Sequence, residues 1–386
     1  MSRYLFVVPP LAGHINPAAA VGAELAARGH EVAWAGHPAT LAALLPERPL
    51  VFPVVDDTLD AQFRAGRERW LGLRGAAVLK FFWEDFAIPL AHAMLPGVAA
   101  AITGFAPDVV VADQQALAGA LAARRAGVAW ATSATTPAEL LRPLSAMPKV
   151  EEWVRGQINA LQRDHGVTDP VDLRFSDQLV LVFSTPALVG DVSGFDGHYV
   201  FTGPALAARP DRGEFPWEWL DPGRRLLLVS LGTLNAAAGQ RFFATATEAL
   251  ADLAGEVQAV MVTQPFAPHP AHILPVAYVP QLALLAHCDA VVCHGGHNTV
   301  CEALAHGLPL VVTPIRDDQP VIAQQVADAG AGVRLRFGRL RAAELTEAVR
   351  AVLDDPGYRA AAGRIRDSFT HAGGAATAAD HLEKLA

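Results

Sequence analysis

Asp289–Gln319, DAVVCHGGHNTVCEALAHGLPLVVTPIRDDQ, is the stretch whose reading decides the fold. Its opening Ala290–Cys293 is a short apolar run of the kind a buried strand requires. His294, Gly295, Gly296 and His297 make a turn, and a helix is expected to open near Asn298 and Thr299. Gly307 and Pro309 stop that helix before a second strand, Leu310–Thr313. A strand passing through a glycine-rich turn into a helix aims unpaired N–H groups and the positive end of a helix dipole at one point, which suits a phosphate.

Working outward, the same alternation recurs on both sides. Tyr4–Val8 reads as a buried strand, followed by the loop PPLAGHIN, an Asn16 cap, Pro17 as first helical residue and a stop at Gly29. Glu31–Ala35, Val109–Asp113, Val128–Thr132, Val180–Pro186 and His198–Pro204 continue the strands. Beyond a proline-rich break at Ala205–Arg225, new strands are expected at Leu226–Gly232, Val257–Thr263 and Val276–Val279. The fold class is α/β: an N-terminal Rossmann-like domain at 1–205, a linker at 206–224 that could act as a hinge, and a C-terminal Rossmann-like domain at 225–386 whose last helix could pack back on the first. Each would be doubly wound around a parallel sheet.

The 386 residues carry 52% hydrophobic and 18% charged side chains and a net charge of −9, which suits compact domains and argues against a nucleic-acid partner. Three cysteines make no disulfide framework, so a reducing, cytoplasmic setting is expected. Arginines, prolines or acids interrupt each apolar run, so no membrane span is expected. A homodimer is left open.

His287, Cys288, Cys293, His294, His297 and Cys301 crowd together in sequence, yet without the paired spacing of structural zinc, and no metal site is assigned. The phosphate reading uses this stretch better: Gly295 and Gly296 let backbone approach a diphosphate, and His294, Asn298 and Thr299 supply donors. Glu302, one turn beyond Asn298, could grip ribose hydroxyls. His14 and Asp113, each at the carboxyl end of a strand where such sheets place active sites, fit a general base with an orienting carboxylate. The aromatic stretch between the regular units offers Trp70, Phe81, Phe82 and Trp83 as an apolar acceptor wall, or alternatively as helix core.

The run YVPQLALLAH through CHGGHNTVCEALAHGLPLVVTPIRDDQ, Tyr278–Gln319, closely resembles the nucleotide-sugar signature of family 1 glycosyltransferases. PPLAGHINP, PDVVVAD, FPWEWL and SLGT extend the resemblance over nearly the whole chain. It implies a GT-B architecture, two Rossmann-like domains facing each other across a cleft. It also implies a UDP- or dTDP-sugar as cosubstrate, no permanently bound cofactor, and an apolar aglycone as acceptor. Carried over, it gives His294, Gly296, Asn298 and Thr299 to the diphosphate, Glu302 to the ribose, and Asp318 with Gln319 to the sugar. Ser230, Gly232 and Thr233 would border the nucleotide, and Tyr278, Val279 and Gln281 its base. Tyr278 and His297 stand where plant relatives carry tryptophans, which leaves uracil or thymine open. The expected reaction is inverting and metal-independent transfer, no Asp-x-Asp motif lying near the turn. A silent helper of a partner enzyme and a sugar-nucleotide epimerase are the alternatives.

Overall fold

The computed structural model describes residues 1–45, 49–55, 57–73, 75–140, 147–206, 214–232, 239–264 and 268–386. By contacts the chain forms two compact units, one of Met1–Phe183, Ser193–Pro210 and Ala372–Ala386, the other of Ser184–Val192 and Asp211–His371.

The first unit holds strands β1 (Arg3–Val7), β2 (Glu31–Gly36), β3 (Leu50–Pro53), β4 (Val109–Asp113), β5 (Ala129–Ala134), β6 (Val180–Val182) and β7 (Tyr199–Phe201). They form one parallel sheet in the order β3-β2-β1-β4-β5-β6-β7. Its central strands are mostly apolar because both of their faces are covered. Leu5 and Val7 point into a core shared with Leu90, Met94 and Leu95 of the helix Ile88–Phe105. Tyr4 and Phe6 point the other way, among Ile15 and Val21 of the helix Ala12–Ala27 and Ala378, Ala379 and Leu382 of the C-terminal helix Gly374–Leu385. Arg28 fastens that last helix to the unit through Asp380, Glu383 and the Ala376 carbonyl.

The second unit repeats the plan with β8 (Arg225–Ser230), β9 (Val257–Val262), β10 (Ile273–Val276), β11 (Ala290–Cys293), β12 (Leu310–Val312) and β13 (Gly332–Arg334). These are again parallel, in the order β10-β9-β8-β11-β12-β13. In each sheet the order reverses once, between β1 and β4 and between β8 and β11, and crevices for ligands open at such reversals.

Several expectations are corrected. The first helix begins at Ala12, so Pro17 lies inside it and His14 sits on its first turn rather than in a loop. The apolar face Ile15, Ala18 and Val21, buried against the sheet, sustains the helix despite the N–H that Pro17 lacks. The strand expected at Val276–Val279 runs instead over Ile273–Val276, because Ile273 and Pro275 face inward beside β9. Strands β3 and β13 had no forecast; only Phe52 and Val51 of the half-buried β3 touch the core. Finally, Phe86–Phe105 has no Asp, Glu, Lys or Arg, and helix Ala76–Phe105 is long and apolar enough to cross a membrane by length and composition alone. Pro89 and Pro96 do not break it, since one lies in the first turn of its regular α segment and the buried stripe Leu90, Met94, Val98, Ala101 and Phe105 packs on the sheet.

Candidate active site

At the reversal in the first sheet, β1 hands the chain through Pro9 and Pro10 to the helix Ala12–Ala27. The His14 and Ile15 N–H groups both donate to the Leu11 carbonyl, which fixes the ring's position on that first turn. Asp113, the last residue of β4, is buried, and its two oxygens lie 2.9 and 3.0 Å from His14 Nδ1. A carboxylate accepts only, so Nδ1 carries the proton and Nε2 is the basic nitrogen. The Gln115 N–H donates to Asp113 Oδ1 at 2.9 Å. Thr135, immediately after β5, completes the group: its Oγ1 is 2.7 Å from His14 Nδ1 and donates to Asp113 Oδ2 at 2.9 Å.

Sequence reasoning missed Thr135, whose place depends on which strands become neighbours. β4 and β5 pair in parallel with Asp113 beside Ser133, so the residue following β5 had to lie near the carboxylate. It also missed Glu139 in the turn that follows. Burial lifts the Glu139 carboxyl above its usual range, against the opposing pull of the Arg174 guanidinium and the Gln114 amide.

The four proposed acceptor aromatics divide. Phe81, Phe82 and Trp83 flank or form a π-helical turn, Phe82–Ala87, that interrupts the long helix. Such bulges widen the helix and re-aim its side chains. Phe82 packs edge to face on Trp83, with centroids 5.4 Å apart, and the Arg69 guanidinium lies 5.7 Å from the centre of the half-buried Phe81. Trp70 is half-buried at the end of the helix Asp57–Gly72. Trp83, however, is buried and belongs to the core, so for that residue the helix-core alternative describes its setting.

In the second unit, β11 runs into His294-Gly295-Gly296 and then the helix His297–Ala305, with Gly296 as N-cap. The first bond of the helical ladder joins the Val300 N–H to the Gly296 carbonyl, so the N–H groups of His297, Asn298 and Thr299 lie ahead of it. Gly295 has φ +86°, and a Cβ there would stand 2.9 Å from Val312 Cγ1, so both backbone and space call for glycine. The helix ends as expected, with the Gly307 and Leu308 N–H groups returning to the Leu304 and Ala303 carbonyls.

His294 stands in this turn between two further glycines. A Cβ on Gly232 would lie 2.7 Å from its Cε1, and one on Gly296 only 2.6 Å from its Nε2. The ring is buried, which lowers its pKa to about 4 against the opposing pull of Asp318. It is therefore neutral near pH 7, and its Nδ1 has no hydrogen-bond partner among the described residues. Ser230, the buried end of β8, accepts the Gly232 N–H at 3.2 Å, while Thr233 lies outside the described residues.

Other predicted positions are drawn together in pairs. Gln281, at the start of the helix Gln281–Leu285, donates Nε2 to Oε2 of the buried Glu302 at 2.6 Å. Gln319 Oε1 accepts the N–H groups of Ile315 and Arg316 at 2.9 and 3.1 Å, which ties down the loop before its helix. Asp318 is that helix's N-cap residue, following Asp317 in a left-handed conformation at φ +54°. Tyr278 is exposed, whereas Val279 is buried in the core. His297 turns inward, its Nε2 3.5 Å from Cys301 Sγ. All three cysteines are buried, and burial pushes the Cys288 and Cys293 thiols up to about 12. Among the described residues no three His, Cys, Asp or Glu side chains are grouped to share a metal.

Similarity to known proteins is consistent along the chain. Residues 246–385 match the erythromycin biosynthesis protein CIII-like C-terminal domain. The 4'-demethylrebeccamycin synthase of Lentzea aerocolonigenes is 31% identical over 421 aligned positions, covering 100% of this chain and 99% of the relative. Demethyllactenocin mycarosyltransferase of Streptomyces fradiae is 29% identical, covering 100% and 87%. Among solved structures, the calicheamicin glycosyltransferase CalG4 superposes with a TM-score of 0.77 at 26% identity, covering 100% of this chain and 98% of that one. A relative 31% identical over the whole of this chain and 99% of its own length, with glycosyltransferases among the other relatives and solved structures, shows that the chain belongs to the family 1 natural-product glycosyltransferases, transferases of the EC 2.4 class with the GT-B fold.

Proposed function

We propose that the protein moves a sugar from a UDP- or dTDP-sugar to a hydroxyl of an apolar natural-product aglycone, with inversion at the anomeric carbon and His14 as general base. The observation that carries this is the His14 ring, held through Nδ1 by both oxygens of a buried carboxylate. In that setting Nε2 takes the acceptor's proton, and Asp113 stabilises the imidazolium that forms without taking the proton itself. The acceptor oxygen then attacks the anomeric carbon from the face opposite the departing nucleoside diphosphate, which inverts configuration. The aromatics Trp70, Phe81 and Phe82 suit an apolar aglycone, and the names of the two antibiotic-pathway relatives support that class.

The donor is assigned to the second unit. Its leading helical N–H groups, with Asn298 and Thr299, meet the charge that develops on the leaving diphosphate, and neutral His294 adds a donor there. Glu302, already oriented by Gln281, takes ribose hydroxyls, and Asp318 and Gln319 take those of the sugar. His14→Ala is expected to abolish transfer while UDP or dTDP still raises the melting temperature, because binding to the native state stabilises it. Undiminished transfer by that variant would overturn the base assignment. Absence of any thermal shift with UDP, dTDP or GDP would overturn the donor assignment.

A further inference from the structure

We infer that Thr135 is a positioning residue for the His14 and Asp113 pair, its hydroxyl committing Asp113 Oδ2 and closing the ring of oxygens around His14 Nδ1. This rests on the base reading above and goes a step beyond it.

Three oxygens surround Nδ1, at 2.7 Å from Thr135, 2.9 Å from Asp113 Oδ1 and 3.0 Å from Asp113 Oδ2. Thr135 has one hydroxyl proton, and Oδ2 at 2.9 Å takes it, since a carboxylate has nothing to donate and Nδ1 bears its own hydrogen. The hydroxyl's lone pairs therefore also face the Nδ1–H. All three of these oxygens act as acceptors toward Nδ1, so they favour the tautomer with Nε2 basic and penalise the other. The Asp113 carboxylate in turn receives the Gln115 N–H on Oδ1 and the Thr135 hydroxyl on Oδ2. Asp113 is 1% and Thr135 4% exposed, so water cannot replace that hydroxyl if it is removed. Donors on the carboxylate also moderate its hold on the imidazolium, which keeps the proton available to leave again.

The consequences are specific. Thr135→Val keeps the shape and deletes the hydroxyl. It should lower kcat about tenfold to a hundredfold with KM for donor and acceptor within about twofold, because the chemical step is impaired and not the binding. The acid limb of the kcat/KM profile should move to higher pH, since a carboxylate relieved of one donor holds the imidazolium more tightly. Thr135→Ser should restore both rate and profile. Thr135→Ala replaces the valine variant if the latter does not fold, with melting temperature and the nucleotide-induced shift as folding controls. A kcat within twofold of wild type, or a fall in kcat with an unmoved acid limb, overturns the inference. His14→Ala, measured alongside, separates the layers: activity retained there sinks the base reading itself. An inactive His14→Ala beside an unaffected Thr135→Val sinks only the role of Thr135.

Discussion

The ring of His294 offers a prediction whose size follows from its surroundings. Gly232 and Gly296 close on it from two sides, it is 8% exposed, and burial lowers its pKa from 6.5 to about 4. The unfolded chain thus takes up a proton on this residue near pH 6.5, and the folded chain only near pH 4. A histidine held neutral in this way contributes nothing to pH dependence above its unfolded value, and its contribution to stability is lost as pH falls from 6.5 to 4. Fully developed, the loss is about 3 kcal/mol. Between about pH 7.5 and about pH 5 it amounts to about 2 kcal/mol. His294→Gln keeps a side-chain amide in the turn and cannot titrate, so other acid-sensitive groups cancel when the two proteins are compared. Urea unfolding at both pH values should show the wild type losing about 2 kcal/mol more than the variant. A diphosphate beside the ring favours its charged form, so calorimetric titration with UDP or dTDP near pH 6, in buffers of different ionisation heat, should register proton uptake that the variant lacks. Equal acid sensitivity in the two proteins, within about 0.5 kcal/mol, would refute the argument that burial in this turn sets the charge of His294.

Two neighbouring substitutions test the same turn by other routes. Gly296→Ala has acceptable backbone angles, but its Cβ would press 2.6 Å from His294 Nε2, and the ring cannot retreat because it already closes on Gly232. Overpacking of this kind costs about 1 to 3 kcal/mol of stability, to be read by urea unfolding, and an unchanged stability would show that the ring is free to move. Gln319→Leu removes the acceptor of the Ile315 and Arg316 N–H groups and should cost about 2 kcal/mol of stability, whereas Gln319→Glu keeps an acceptor and should keep most of it. If both proteins melt like wild type while transfer fails, Gln319 serves the sugar alone.

The alternation of apolar runs with capped helices exposed both sheets, because a parallel strand covered on both faces must be apolar throughout and its neighbours in sequence must cross over it. Val109–Asp113 and Ala290–Cys293 were legible to the residue for that reason. β3 and β13 were not, since half-exposed edge strands lose that signature. The site followed the same division. That the segments carrying His14 and Asp113 follow neighbouring strands, and that a glycine turn follows β11, could be read from the chain, because apolar runs mark the strands and a left-handed turn restricts the residue type. Thr135 and the pairing of Gln281 with Glu302 could not, since they depend on which strands and helices become neighbours, and a threonine or glutamine carries no local signature of its partner. The two aromatic outcomes make the point from the other side. Phe82 and Trp83 are adjacent and chemically alike, but successive residues of a helix point about 100° apart, and which of the two meets the core is set by what the helix packs against, here leaving Phe82 half-buried and Trp83 buried. What sequence supplies for such a site is therefore the set of groups at strand ends, and what the fold adds is the second ring of partners that fixes their tautomers and charges.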